Sequence, residues 1–220
     1  MTLRAGRLRT SVCANQSDAD VIACVEGGAD AIGVLVQIRH RAEDAVDLPS
    51  AAGLLARVPP YVGRYAVTHS TSVEEILTLA RLPIDTIQLH GDVDPAAIPA
   101  LRAAAPHLRL LKAIHVADDR APSVDPWVFL VDGLVIDSIH RAEDRIGGTG
   151  RTHDWSVSAA IVASSPIPVI LAGGLHPENV GDAVRTVRPW AVNVNSGVER
   201  HGVKSSELVE QFVGRAHAPR

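Results

Sequence analysis

Apolar and polar positions fall into a repeating beat: a short apolar run, a polar or glycine-rich end, then an amphipathic segment. Leu8 to Cys13 is the first run, and Ser17-Asp18 opens a helix predicted to reach about Glu26, where Gly27-Gly28 stops it. Ala31 to Val36 lacks the alternation of a half-solvated strand, as expected where both faces are covered. A polar loop over 37–47 leads to a helix from Leu48-Pro49-Ser50 through Arg57. The same beat predicts strands over Arg64–Val67, Thr86–Leu89 and Leu108–Ile114, the last interrupted by Lys112, with helices over Thr71–Ala80 and Asp94–Ala105 between them. A less regular stretch containing Pro122, Pro126 and Trp127 precedes an apolar strand that ends in Asp137. Trp155–Ser164 (helix), Pro168–Ala172 (strand), Asn179–Thr186 (helix), Ala191–Val194 (strand) and Ser205–Gly214 (helix) complete the chain.

Alternating strands and helices with short connections imply a parallel sheet. Eight such units in 220 residues give an α/β protein folded as a single (β/α)8 TIM barrel over residues 1–220, with 216–220 expected as a frayed tail. The alternative is an open doubly wound sheet. There, only strands beside the switch point need polar or glycine-rich ends. Here nearly every strand has one: Cys13, His90-Gly91, Asp137, Gly173-Gly174 and Asn195-Ser196-Gly197. A barrel brings all such ends to one mouth. No linker, low-complexity segment or second domain stands out.

Composition adds exclusions. With 46% hydrophobic and 21% charged residues the chain matches a soluble globular domain. A net charge of −4 and 3% aromatics leave no basic, base-stacking surface, so no nucleic-acid partner is expected. No apolar run approaches the ~20 residues of a membrane span, and the N-terminus has no apolar signal core, so no membrane association and a cytoplasmic setting are expected. The two cysteines, Cys13 and Cys24, have neither disulfide-framework nor metal-ligand spacing. The scattered histidines likewise lack ligand spacing, so no catalytic metal is expected.

The candidate chemistry centres on Asp132-Gly133-Leu134-Val135-Ile136-Asp137, a strand that delivers a carboxyl group to its C-terminal end. Gly147-Gly148-Thr149-Gly150 follows within one loop and is a candidate anion cradle, ahead of His153-Asp154-Trp155. Acid and cradle together suggest a small phosphorylated substrate. The glycine-rich ends Gly173-Gly174 and Ser196-Gly197 strengthen this, because a phosphate site after the seventh and eighth strands recurs in such barrels.

Several segments, in order and over nearly the whole chain, resemble phosphoribosylanthranilate isomerase, a barrel enzyme of tryptophan biosynthesis. They are Gln88-Leu89-His90-Gly91, Lys112-Ala113-Ile114-His115-Val116, Gly147-Gly148-Thr149-Gly150 with Asp154-Trp155, Leu171-Ala172-Gly173-Gly174-Leu175-His176-Pro177-Glu178-Asn179-Val180 and Ser196-Gly197-Val198-Glu199. The resemblance implies an Amadori rearrangement of N-(5-phosphoribosyl)anthranilate, without metal or organic cofactor. It implies Asp137 as general acid, which needs a proton retained near neutrality, and Cys13 as general base, which needs local positive potential because a free thiol titrates near ~8.5. Gly148, Thr149, Gly173, Gly174, Ser196 and Gly197 are the expected phosphate-side residues, and Asn195 is a further substrate-binding candidate. Arg39 or Arg41 is the candidate for the aryl carboxylate, and Gln88 and His90 either line the mouth or satisfy buried backbone. Oligomeric state stays open between monomer and homodimer.

The chain departs from the family pattern at the mouth. Ser11-Val12-Cys13-Ala14 stands where the family has Lys-Ile-Cys-Gly, and Val192-Asn193-Val194-Asn195 where it has Val-Asp-Val-Ser. The loop after Asp137 is longer, with His140, Arg141 and Arg145 added, and His69 stands at an apolar-Asn strand ending, where a solvated histidine is expected. Two other readings therefore stay open: a paralogue isomerising or cleaving a related phosphorylated aminosugar, and a non-catalytic binder of phosphorylated metabolites.

Overall fold

The computed structural model describes residues 7–39, 43–116, 123–140, 145–146 and 154–218, with backbone alone at 138–140 and 145–146. Eight parallel strands form the barrel: β1 (Arg9–Val12), β2 (Ala31–Leu35), β3 (Gly63–Thr68), β4 (Thr86–Leu89), β5 (Arg109–Val116), β6 (Gly133–His140), β7 (Val169–Leu171) and β8 (Ala191–Val194). The order runs β5-β4-β3-β2-β1-β8-β7-β6, and β6 pairs back to β5 to close the ring. Closure excludes the open doubly wound sheet. Outside it lie α1 (Asp18–Glu26), α2 (Leu48–Ala56), α3 (Val73–Thr78), α4 (Ile98–Ala104), α5 (Trp155–Ser164), α6 (Pro177–Val187) and α7 (Ser206–Ala216).

The helix starts follow local capping chemistry. Ser17 and Asp20 form a reciprocal capping box at α1; Asp47, Asp154 and Ser205 each accept an N–H at the start of their helices. The predicted helix over Thr71–Ala80 is instead α3 followed by a 3-10 turn over Leu79–Arg81, and that over Asp94–Ala105 divides into a 3-10 turn at Pro95–Ala97 and α4. The described residues between β5 and β6 form turns rather than a helix. The longer loop after Asp137 begins as a continuation of β6, with Ile139 and His140 pairing antiparallel to a two-residue strand at Arg145–Ile146. Ala216 is no part of a frayed tail: it is buried in the last turn of α7. The His217 ring then bonds the Leu8 carbonyl at 2.9 Å, tying the end of α7 to the base of β1.

Side chains of a strand alternate between the helix layer and the barrel axis. On the axis, Leu111, Val135, Ile170, Ala172 and Ala191 form one apolar cluster. Beside it the Tyr65 ring lies over Gly33, where a Cβ would overlap the ring atoms. Its hydroxyl faces Ser11 and Asn193, and these two are register partners across β1 and β8. The two positions where the family carries Lys and Asp thus lie opposite each other, and here both are neutral. Loss of one formal charge is matched by loss of the other.

Cys24 is fully buried in α1 against Asn15 Oδ1 at 3.2 Å, and burial pushes its thiol up to about 12. An unfolded chain releases that proton from about pH 9. The folded chain therefore binds more protons over this window, and the free energy of unfolding falls as pH rises, by about 1.4 kcal/mol per pH unit for one thiol. Urea unfolding between pH 7.5 and 10.5 should show a shallower decline for Cys24→Ala than for the parent. Gly33→Ala should lose about 1–3 kcal/mol by overpacking the Tyr65 ring. Gly53→Ala, at an exposed position of α2 with no atom within 4 Å of the new methyl, should gain about 0.5–1 kcal/mol in the same assay.

Candidate functional site

The alternation that places Ser11, Tyr65, Gln88, Ala113, Val135 and Asn193 on the barrel axis also decides what reaches the mouth. An even number of residues further along the same strands stand Cys13, His69, His90, His115, Asp137 and Asn195, all at C-terminal ends. Cys13 and Asp137, from β1 and β6, face the same space, close enough for the carboxylate to disfavour ionisation of the thiol.

Cys13 donates its N–H to the Val194 carbonyl at 3.0 Å, and its thiol points at the same oxygen at 3.6 Å. Burial pushes this thiol up to about 12; Lys204 is the largest opposing influence, and Asp137 and Asp44 add to the rise. Ala14, where the family has glycine, holds a left-handed backbone at φ 60°, a conformation that costs an L-residue ~1–2 kcal/mol. Asn15 locks the turn by donating to the carbonyls of Val12 at 3.1 Å and Gly33 at 2.9 Å.

Asp137 is 7% exposed, and His90 Nε2 lies 3.7 Å from its Oδ2. Gln88 is buried, and its amide lies 3.1 Å from His90 Nδ1. With Gln88 donating there, the ring hydrogen of a neutral His90 sits on Nε2, facing the carboxylate. His69 is not the solvated residue expected from sequence. It is buried and stacks on His90, with ring centroids 5.1 Å apart and planes 14° apart. His115 meets His90 edge-on at 4.6 Å and bonds the His90 carbonyl through Nε2 at 2.9 Å; burial lowers its pKa. Gly91 permits this crowding, because a Cβ there would overlap the His69 carbonyl.

Lys112, the interruption noted in the fifth strand, points out of the barrel axis. Its ammonium bonds the carbonyls of Gly91 at 3.0 Å and Ala113 at 2.7 Å and lies 5.3 Å from the Trp127 ring centroid. Burial lowers its pKa to about 8. It braces the loop after β4 from behind.

The glycine-rich ends form one surface. Gly173 and Gly174 take φ of 84° and 64°, which turns the chain from β7 into α6. Gly197 packs its Cα against the carbonyl of Leu175, where any Cβ would collide, so the loops after β7 and β8 touch backbone to backbone. Ser196 is exposed and opens a 3-10 turn, Ser196–Val198. Asn195 is turned aside: its amide bonds Asp44 at 2.7 Å and its Oδ1 accepts from Lys204 at 2.5 Å. Gly148, Thr149 and Arg41 lie outside the described residues. Arg39 is exposed on the rim and donates to Thr71 Oγ1 at 2.6 Å, leaning toward the loop after β3.

Lys204 and Asp44 escaped sequence reasoning. Lys204 follows Gly202 in a two-strand turn after β8, and a single lysine beside a turn carries no pattern of its own. The burial of His69 could be inferred only once Gly91 and His90 were placed against it. Among the described residues, no group of three His, Cys, Asp or Glu could hold a metal ion, and no helix is long and apolar enough to cross a membrane.

Residues 10–215 match the family model described as N-(5'phosphoribosyl)anthranilate (PRA) isomerase. The chain is similar to N-(5'-phosphoribosyl)anthranilate isomerase 2 of Methanosarcina mazei, at 37% identity over 95% of this chain and 94% of the relative. Among solved structures it is similar to phosphoribosyl anthranilate isomerase from Thermotoga maritima, with a TM-score of 0.80, 29% identity and coverage of 95% of this chain and 98% of that one. A second solved isomerase, in complex with reduced 1-(o-carboxyphenylamino)-1-deoxyribulose 5-phosphate, matches at a TM-score of 0.76 and 27% identity, covering 95% of this chain and 98% of that chain. With its closed eight-stranded barrel and a match over nearly its whole length, the chain belongs to the N-(5'-phosphoribosyl)anthranilate isomerase family.

Proposed function

We propose that this protein catalyses the Amadori rearrangement of N-(5'-phosphoribosyl)anthranilate to 1-(2-carboxyphenylamino)-1-deoxyribulose 5-phosphate, a step of tryptophan biosynthesis. The observation that carries the reading is the convergence of Cys13 and Asp137 on one barrel mouth, with the touching glycine-rich loops after β7 and β8 lying between their two strands in the ring.

The phosphate is held by the backbone around Gly173, Gly174, Ser196 and Gly197, where turns without side chains let N–H groups approach an anion. Gly148 and Thr149, outside the described residues, are further candidates for the phosphate. Arg39 on the rim is the candidate for the aryl carboxylate, and Arg41, outside the described residues, is the other. Gln88 acts through His90, and His90 through its approach to Asp137.

In the first step Asp137 protonates the ring oxygen of the ribose. The C1–O bond breaks, and the anilino nitrogen lone pair forms a C1=N iminium. The cation makes the neighbouring C2–H acidic and supplies positive charge beside Cys13 when the base is needed. Cys13, as thiolate, removes the C2 proton; that electron pair becomes the C1–C2 double bond of an enolamine as the iminium is neutralised. Loss of the O2 proton and protonation at C1 give the aminoketose. The reading carries with it a reaction that needs no metal or organic cofactor, a monomeric or homodimeric enzyme and a cytoplasmic setting.

Purified protein given phosphoribosylanthranilate generated in situ should turn it over, followed by loss of anthranilate fluorescence; absence of turnover overturns the reading. Cys13→Ala and Asp137→Ala should each lower kcat by ~10³ or more, about 4 kcal/mol in the barrier. Gly197→Ala should push the two loops apart. It should raise KM and the inhibition constant for inorganic phosphate by about tenfold or more, with a smaller change in kcat, in steady-state assays at fixed ionic strength. Equal effects on kcat and none on phosphate inhibition would place the phosphate elsewhere.

A further inference from the structure

The base assigned to this reaction sits in surroundings that oppose it. The Cys13 thiol is held away from water, and two carboxylates, Asp137 across the mouth and Asp44 from the loop after β2, disfavour a second negative charge. Strand β1 brings no cation to the axis: Ser11, two residues earlier on the same face, is neutral, and Arg9 stacks on Trp190 at 4.6 Å. Among the described residues, Lys204 is the cation that acts on the thiol. Its side chain is 1% exposed, so it does not reach out to the solvent.

The route is short. Cys13 Sγ points at the Val194 carbonyl, and the next carbonyl along the strand end, that of Asn195, accepts from Lys204 Nζ at 3.2 Å. The same ammonium bonds Asn195 Oδ1 and Glu199 Oε1, each at 2.5 Å. Its backbone is pinned from another direction, since the Lys204 N–H donates to Asp20 Oδ1 at 2.9 Å. Asp20 Oδ2 is taken up by the N–H groups of Gln16 and Ser17 and by the Ser17 hydroxyl. The lysine is thus gripped between the start of α1 and the end of β8, with three donors directed at named oxygens. We propose that Lys204 is a positioning residue for the reaction: it holds the end of β8 under Cys13 and keeps a fixed positive charge beside the thiolate.

The charged and titratable groups facing it are Glu199 on its own hairpin, Asp20 and Cys24 on α1, Asp44 through Asn195, and Cys13 on β1. Glu199 shares its ammonium most directly, so it weakens the field that reaches the thiol. The assignment rests on the reading of Cys13 as base. Its deciding readout, alkylation of the thiol, needs no substrate, so the two fail separately: retained turnover in Cys13→Ala removes the base, whereas thiol reactivity reports on Lys204.

In a Cys24→Ala background, alkylation of Cys13 by iodoacetamide is measured from pH 7 to 9.5, together with kcat and KM. Lys204→Gln should slow alkylation at pH 8 by tenfold or more and lower kcat in parallel, with KM changed less than threefold. Lys204→Arg should restore alkylation to within about threefold. Glu199→Gln, which frees the ammonium, should move alkylation the opposite way, at least twofold faster. A folded Lys204→Gln protein that alkylates at the parental rate overturns the proposal and leaves the lysine a structural brace. If Lys204→Gln does not fold, an unchanged or slower rate in Glu199→Gln overturns it equally.

Discussion

Everything at the functional end depends on the strict alternation of side chains in a closed ring of parallel strands. Because β6 pairs back to β5, each strand has one face on the axis and one under the helices. A residue aligned with the axis at mid-strand is followed, an even number of positions later, by one aimed into the mouth. Ser11 leads to Cys13, Gln88 to His90 and Val135 to Asp137 in this way. A one-residue slip of any strand would turn its site residue outward, into the helix layer. The apolar axis cluster of Val135, Ile170, Ala172 and Ala191 therefore sets the site as well as the stability.

Charge is distributed economically inside this frame. The axis layer below the site is neutral, with the Tyr65 hydroxyl between Ser11 and Asn193, where the family pattern places a lysine and an aspartate. Register explains why both departures occur together: opposite positions in a buried layer must match in charge, since an unpaired ion there is far more costly than a neutral hydrogen-bonding group. The charges return one layer higher. Asp137, Asp44 and Lys204 act on the thiol, and Glu199 pairs with the lysine; they come from a strand end, a loop and a hairpin that are far apart in the chain.

The histidines show how a site can be stiffened without metal ligands. His69, His90 and His115 come from three adjacent strands, and their rings contact in sequence. Gln88 orients the middle ring, the His90 carbonyl receives His115, and Gly91 lets the backbone of the loop after β3 come close. Such a stack confines His90 beside Asp137, which a single histidine on a loop could not ensure.

Much of this was legible in the linear chain. The barrel, most element boundaries and the carboxyl of Asp137 at a strand end follow from apolar runs, caps and glycines, because these signals act within a few residues of where they are written; Cys13 as its partner came from the family resemblance. Trp155–Ser164 and Ala191–Val194 needed no correction. The family resemblance in Gln88-Leu89-His90-Gly91 and Leu171 to Val180 was equally local. Other features were decided only by tertiary structure. Lys204 acquires its meaning from Asn195, Glu199 and Asp20, the last 184 residues away in the chain. His69 is buried because His90 and Gly91 come to lie against it, and Gln88 matters for the ring it orients. The physical reason is the same in each case: electrostatic influence and steric contact depend on distance in space, and the sequence records that distance only after the ring has closed.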